Sequence, residues 1–91
     1  MTTELKKITQ EELDSVISLH QVWLNGDGGC QADLSCHDLT GMDLSECNLT
    51  SANFRGSNLT SADLRGTTLT KANLVDTTIS YVWLYDADLW D

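Results

Sequence analysis

Large apolar side chains recur at every fifth position through the last two thirds of the chain. A helix repeats its apolar positions about every 3.6 residues, and a half-buried strand repeats them every 2. A period of five fits neither element, so the sequence predicts one change of chain direction per repeat. The apolar positions are Leu34, Leu39, Leu44, Leu49, Phe54, Leu59, Leu64, Leu69, Leu74, Ile79, Leu84 and Leu89.

The residues around each apolar position are patterned as well. Two places earlier stands a small or apolar residue, most often alanine, with His37 and Met42 as bulky exceptions. A spacing of two places both residues on one side of an extended segment. The residue between them is usually Asp or Asn and points the other way. Short polar residues bond to nearby backbone and favour turns, so each repeat is predicted to be one short extended segment and one turn.

The N-terminal segment lacks this period and predicts a helix. Thr9 followed by Glu12 is a capping box, and Asn25 with Gly26 is a typical helix end. One helical stripe is apolar, which is the face a helix buries. The stripe contains Leu13, Val16, Ile17, His20, Trp23 and Leu24. The predicted domains are a capping helix with a glycine-rich turn (1–31) and a repeat domain (32–91).

Runs such as ADLSC, ANFRG, ADLRG and ANLVD resemble the pentapeptide-repeat family, whose pattern is A(D/N)LXX. The resemblance covers twelve in-phase repeats in residues 32–91. It implies an all-β solenoid, a right-handed quadrilateral β-helix in which four pentapeptides form one coil. About three coils with an N-terminal capping α-helix are then expected, and residues twenty apart should stack, as Asp43 would on Asp63.

Composition narrows the class of partner. Fourteen acidic and five basic residues give a net charge of −9, which disfavours direct binding to nucleic acid or to an anionic membrane and favours a basic partner. No apolar run approaches the roughly 20 residues that span a bilayer, and no leader peptide is recognised. The expected location is the cytoplasm, with reduced thiols at Cys30, Cys36 and Cys47.

Neither a metal, a cofactor nor catalysis is predicted. The cysteines and His37 are zinc-ligand types, but no CxxC or HxxxH spacing is present, and Cys47 occupies an inward slot where it acts as a small apolar residue. His20 lies on the apolar stripe of the helix. No spacing selects a Ser/His/Asp set, and a rod with a filled axis has no cleft, so the chain is not expected to be an enzyme.

The acidic residues of the repeats are the candidate partner-binding set. By one interpretation they only serve the turns and solubility. By the other they imitate DNA, which carries one charge per roughly 1.7 Å of axis. Arg55, Arg65 and Lys71 would then mark a side that does not bind. The candidates are Asp33, Asp38, Asp43, Glu46, Asp63, Asp76, Asp86 and Asp88.

The family resemblance favours the second interpretation, since several pentapeptide-repeat proteins are DNA mimics. It implies an acidic DNA-mimic protein that inhibits a DNA-binding complex, with a CRISPR-Cas effector as the leading target, which would make this chain an anti-CRISPR protein. A protein directed at DNA gyrase or topoisomerase is the alternative, although no loop interrupts the repeats here. A structural protein-interaction module without a DNA connection is the third hypothesis.

Aromatic residues gather near the C-terminus, namely Tyr81, Trp83, Tyr85 and Trp90. Trp83 stands where most repeats have Asp or Asn, and an outward tryptophan calls for a neighbour. Gyrase-directed relatives dimerise through their C-terminal coils, so the resemblance implies a homodimer. An intramolecular lid and a partner-binding patch are the other hypotheses for this cluster.

Overall fold

The computed structural model describes residues 4–85 and 87–88, and regular elements within these ranges are few and short. They are strand β1 (Lys6–Lys7), helix α1 (Gln10–Leu24) and strand β2 (His37–Asp38). β1 and β2 pair in parallel, with Lys6 opposite His37. The remaining repeats pair through isolated parallel bridges, because each pentapeptide turns before a longer strand can form.

A left-handed corner ends each repeat. Two residues after the central apolar side chain, φ lies between 54° and 72°. At most corners the next backbone N–H donates to the central residue's carbonyl, as Ser57 does to Phe54 at 3.0 Å. Positive φ at the third residue makes these type II turns. The corners are Cys36, Gly41, Glu46, Ser51, Gly56, Ser61, Gly66, Lys71, Asp76 and Tyr81.

Residues twenty positions apart lie side by side as bridge partners, which is the spacing that the repeat predicts. Leu34 N–H donates to Asn53 O at 2.7 Å, and Asn53 N–H donates to Ala32 O at 3.0 Å. We call residues 32–51 the first layer, 52–71 the second layer, and 72–85 with 87–88 the third layer. The four sides are Asp33–Asn53–Asn73, Asp38–Asn58–Thr78, Asp43–Asp63–Trp83 and Asn48–Thr68–Asp88.

The core runs along the inside of the first two layers. All eight of their central apolar residues are at most 3% exposed, and Ala32, Ala52 and Ala62 are buried beside them. The central residues Ile79 and Leu84 are less buried, at 44% and 40% exposed. They lie in the third layer, on which no further layer of described residues is stacked; Leu89 lies outside the described residues.

The predicted helix start and end are both present. Glu12 N–H donates to Thr9 Oγ1 at 3.1 Å, and Thr9 N–H donates to Glu12 Oε1 at 2.9 Å, which completes the capping box. Asn25 is the C-cap, and Gly26 follows at φ 81°. Of the predicted stripe, Leu13 and His20 are fully buried, whereas Trp23 stays 37% exposed.

The N-terminal segment provides hydrogen-bond partners for the outer edge of the first layer. Lys6 N–H donates to Cys36 O at 2.8 Å. The Gln10 amide pairs with the backbone of Asp43 in both directions, each bond being 2.9 Å long. Buried His20 accepts from Ala32 N–H at Nδ1 and donates from Nε2 to Thr50 O, both at 2.9 Å. These groups replace the ladder bonds that a preceding layer would make.

The left-handed corners give a first prediction. Ser61→Gly should stabilise the fold by about 0.5–1 kcal/mol, because glycine removes the cost of a side chain at φ 61° and loses only part of that gain to chain entropy. Gly41→Ala should cost about 0.5–1 kcal/mol by the same argument, since its added Cβ would meet no atom within 4 Å and only strain and chain entropy act. Urea unfolding measures both, and Ser61→Ala, which keeps Cβ, should be neutral. Equal stability of all three variants would contradict the argument.

The His20 contacts give a second prediction. His20→Phe keeps a ring that can stack on Trp23, whose centroid lies 5.4 Å from that of His20. It removes both polar contacts, so Ala32 N–H and Thr50 O lose their partner, at a cost of about 2–4 kcal/mol. His20→Gln should cost less, because the Gln10 amide already shows that a carboxamide can donate and accept at this edge. A His20→Phe protein as stable as wild type in urea would show that the two bonds contribute nothing.

Candidate functional site

The aspartates of the first layer are built into the turns. Asp33 Oδ1 accepts from the backbone N–H of Ser35 at 3.1 Å and from its hydroxyl at 2.6 Å. Asp38 and Asp43 make the same pair of bonds with the residue two places on. Asn48 uses its amide oxygen in the same way. Either residue type therefore closes the turn, and the charge is additional to that role.

The turn bonds also keep these carboxylates ionised. The pKa of Asp33 is lowered mainly by the hydroxyl and backbone N–H of Ser35, and the pKa values of Asp38 and Asp43 are lowered in the same way by Thr40 and Ser45. Hydrogen bonds to the charged form favour it. Within the described residues, Oδ2 of each of these aspartates makes no hydrogen bond. One oxygen per side chain thus remains open to a partner.

The balance of acidic and basic residues differs from one layer to the next. The first layer contains four acidic and no basic residues, whereas the second contains Asp63 against Arg55, Arg65 and Lys71. Residues 72–91 again contain four acidic and no basic residues. Within the first layer the aspartates lie on three different sides, so they surround the axis and do not form one row along it.

Asp63 differs from the other candidates because Arg65 holds both of its oxygens. Arg65 Nε donates to Oδ1 at 2.9 Å, and Nη2 donates to Oδ2 at 2.7 Å. Hydrogen bonds from Arg65 lower the pKa of Asp63 to about 2. The Arg65 guanidinium also lies 5.5 Å from the Trp83 ring centroid. Asp63 is therefore ionised but already neutralised within the chain.

The remaining acidic candidates occupy corners or the third layer. Glu46 and Asp76 stand at corners with φ of 60° and 58°. Asp88 is exposed and bridges to Thr68. Asp86 lies outside the described residues.

The predicted aromatic cluster is exposed where it is described. Tyr81 is 88% exposed, Trp83 62% and Tyr85 77%, and the neighbouring Val75 is 52% exposed. Trp90 lies outside the described residues. The three described rings leave Ile79 and Leu84 accessible, so these rings do not form a closed lid over the third layer.

The described hydrogen bonds of both histidines are with backbone atoms, and the thiols are all free. Both nitrogens of His20 bond to backbone, and His37 Nδ1 contacts Ser35 O at 2.7 Å. All three cysteines are free; burial and the neighbouring Asp43 and Asp14 raise the pKa of the half-buried Cys47 thiol. Among the described residues, no three His, Cys, Asp or Glu side chains gather as metal ligands. The one described helix is too short and too polar to cross a membrane.

A surface groove of about 360 Å³ was missed by the sequence analysis. It is lined by Ser45, Glu46, Arg65, Gly66 and Tyr85. The signal was present in the period, because 45, 65 and 85 are twenty apart, as are 46 and 66. A Cβ at Gly66 would lie 2.9 Å from Glu46 Oε1, so the glycine makes room for the glutamate.

Comparison with known proteins agrees with the repeat. The family model for pentapeptide repeats matches residues 30–60 and 52–91, in eight copies. No curated protein matches the chain. Two similar solved structures are pentapeptide-repeat proteins. Rfr23 from the cyanobacterium Cyanothece 51142 is 33% identical over 67% of this chain, with a TM-score of 0.37. The protein alr5209 from Nostoc PCC 7120 is 24% identical over 94% of this chain and 78% of its own length, with a TM-score of 0.30. This chain spans 45% of the length of Rfr23.

The lowered pKa values predict acid lability. A carboxyl group whose pKa falls on folding stabilises the fold above its unfolded pKa of about 3.9, and that stability is lost as pH falls through the folded value. The layer variant, Asp33→Asn/Asp38→Asn/Asp43→Asn, keeps the turn acceptor but cannot titrate. Its urea midpoint should therefore fall less than that of wild type between about pH 4 and pH 2.

The matched control variant is Glu4→Gln/Glu11→Gln/Asp27→Asn, whose three carboxylates make no side-chain hydrogen bond within the described chain. The control should lose stability on acidification as wild type does. If the layer variant also followed wild type, the turn bonds would not be the source of the acid response.

Proposed function

Because the chain belongs to the pentapeptide-repeat family, we propose that it is a non-catalytic protein-interaction module whose acidic first layer binds a basic partner. The family implies a right-handed β-helix; the proposed architecture is three quadrilateral coils, with α1 as the cap of the first. The observation that carries the proposal is the first layer itself, whose residues include four acidic and no basic ones, with Lys6 and Lys7 of β1 beside its second side only. Three of the four acidic residues are held ionised with one oxygen open.

The finer form of the proposal is DNA mimicry. A DNA-binding protein offers Lys and Arg side chains in a groove that normally holds phosphates. The open carboxylate oxygens of Asp33, Asp38 and Asp43 would take the place of phosphate oxygens there. Asp63 is the weakest member of the candidate set, because Arg65 would have to release it first.

The proposed target is a complex that holds DNA in a basic groove. An effector complex of the CRISPR type is the first candidate, and inhibition of its DNA binding would be the outcome. DNA gyrase or a topoisomerase is the second candidate, with the uninterrupted repeats counting against it. The proposed location is the cytoplasm, where such complexes act and where the free thiols stay reduced.

Self-association through the third layer is a further part of the proposal. Trp83, Tyr85 and Ile79 are all exposed there, and an exposed apolar cluster of this kind is typical of a contact surface. Light scattering of the free protein, which distinguishes one copy from two, would also fix the stoichiometry of any complex.

Competition with DNA tests the function. The wild-type protein, immobilised, captures partners from the cells that encode it, and a duplex oligonucleotide is then added to the wash. We expect the captured partners to include DNA-binding proteins, and the duplex should release them by competition. Added salt should release them as well, because surface charge pairs are screened within about 8–10 Å at physiological ionic strength. The layer variant should bind them about three- to tenfold more weakly, and the control variant should bind as wild type does.

Two outcomes would count against the proposal in different ways. Partners that stay bound in the presence of saturating duplex would exclude mimicry and leave an interaction module without a DNA connection. Partners that bind the layer variant as tightly as wild type would exclude the first layer as the contact surface.

A further inference from the structure

The groove between Glu46 and Tyr85 presents an unusual set of groups for a protein surface. Its floor is Gly66, whose missing side chain lets both Glu46 carboxylate oxygens lie over the backbone; a Cβ there would be 2.9 and 3.3 Å from them. Within the described chain, the Glu46 carboxylate has no hydrogen-bond or ion-pair partner. The groove therefore contains an exposed anion that no described side chain neutralises.

The stacking of the layers fixes the walls of this groove. Glu46 N–H donates to Arg65 O at 2.8 Å, and Gly66 N–H donates to Tyr85 O at 2.9 Å. These bonds place Ser45, Arg65 and Tyr85 above one another on three successive layers. Tyr85 is 77% exposed, so its ring is available to a second molecule.

Arg65 lines the groove but does not supply the missing cation. Its guanidinium is held by the Asp63 carboxylate at 2.9 and 2.7 Å, and it lies 5.5 Å from the Trp83 ring. That pair is neutral as a whole, and Glu46 remains unpaired. It also shows, inside this chain, a guanidinium held by a carboxylate while it lies over an aromatic ring.

We propose that the groove binds an arginine side chain of the basic partner, with the guanidinium against Tyr85 and paired to Glu46. A planar guanidinium can stack on the ring and bond a carboxylate with two parallel N–H groups at once, which an ammonium cannot do. A volume of about 360 Å³ accommodates one long side chain. The net charge of −9 favours the approach of such a group.

This inference rests on the proposed function only in taking the partner to be basic. It adds a specific contact on the border between the fourth side and the third, where Glu46 and not a turn aspartate supplies the carboxylate. The occupant is one amino-acid side chain, so it can be tested without knowing the partner.

The probe is N-acetyl-arginine amide, titrated into the isotopically labelled full chain and followed by two-dimensional NMR. We expect saturable shifts of the Glu46, Gly66 and Tyr85 amides. The citrulline analogue has the same shape without the charge and should cause no saturable shift, and the lysine analogue should bind more weakly. The spectra themselves report whether each variant is folded.

Single substitutions in the groove test which side chains contact the arginine probe. Glu46→Gln should weaken arginine binding about two- to fivefold, the loss expected for an exposed ion pair. Tyr85→Ala should weaken it by about two- to fivefold through loss of the ring face, and Tyr85→Phe should not. Glu11→Gln removes an equal charge from α1 and should leave binding unchanged.

Three results would overturn the inference. They are the absence of saturable shifts at these amides, equal binding of arginine and citrulline probes, and Glu46→Gln binding as tightly as wild type. Failure of DNA competition with arginine binding intact would refute mimicry alone. Loss of arginine binding with DNA competition intact would refute only the groove.

Discussion

The left-handed backbone at every fifth residue is the constraint on which the rest of the molecule depends. With φ near 60° at each corner, the chain turns after every pentapeptide and comes to lie beside itself after twenty residues. The turn directs the central apolar side chain inward and the preceding Asp or Asn outward. Seven of the ten described corners are not glycine, so each of these seven has the free-energy cost of a side chain at positive φ. The hydrogen bonds between layers offset that cost.

Because of that constraint, the charge of the turn residue has no part in forming the turn. The turn requires an acceptor oxygen for the N–H of the residue that precedes the corner, and Asp43 and Asn48 both provide it. The number of carboxylates on the surface can therefore change without any change in the turns. The first layer has aspartate at three of these slots, and the second layer has asparagine at two of the same three, so the concentration of aspartate is a property of the surface and not of the fold.

The sequence predicts what depends on the period and misses what depends on single side chains meeting across the fold. The capping box, the inward residues of the first two layers and the pairing of Asp43 with Asp63 all follow from local chemistry or from counting in fives. Strand β1, the Gln10 amide on Asp43 and the two bonds of His20 do not, since each depends on how the N-terminal segment lies on the first layer. Of the candidate site, the sequence identifies the turn aspartates but not the neutralisation of Asp63, which depends on the rotamer of Arg65.

The banding of charge limits how closely this surface can resemble a duplex. DNA carries its phosphates at even intervals along the axis, whereas here a layer with three basic residues separates two layers with none. Adjacent layers of such a ladder are about 4.8 Å apart, well within the range over which the middle layer weakens the field of its neighbours. A basic groove that follows the axis would meet Arg55, Arg65 or Lys71, while one that crosses the axis at the first layer meets its carboxylates and, beside Asp38, Lys7 of β1. A basic partner of the proposed kind would therefore meet carboxylates on the sides of the first layer, because β1, Gln10 and His20 cover the outer edge of that layer.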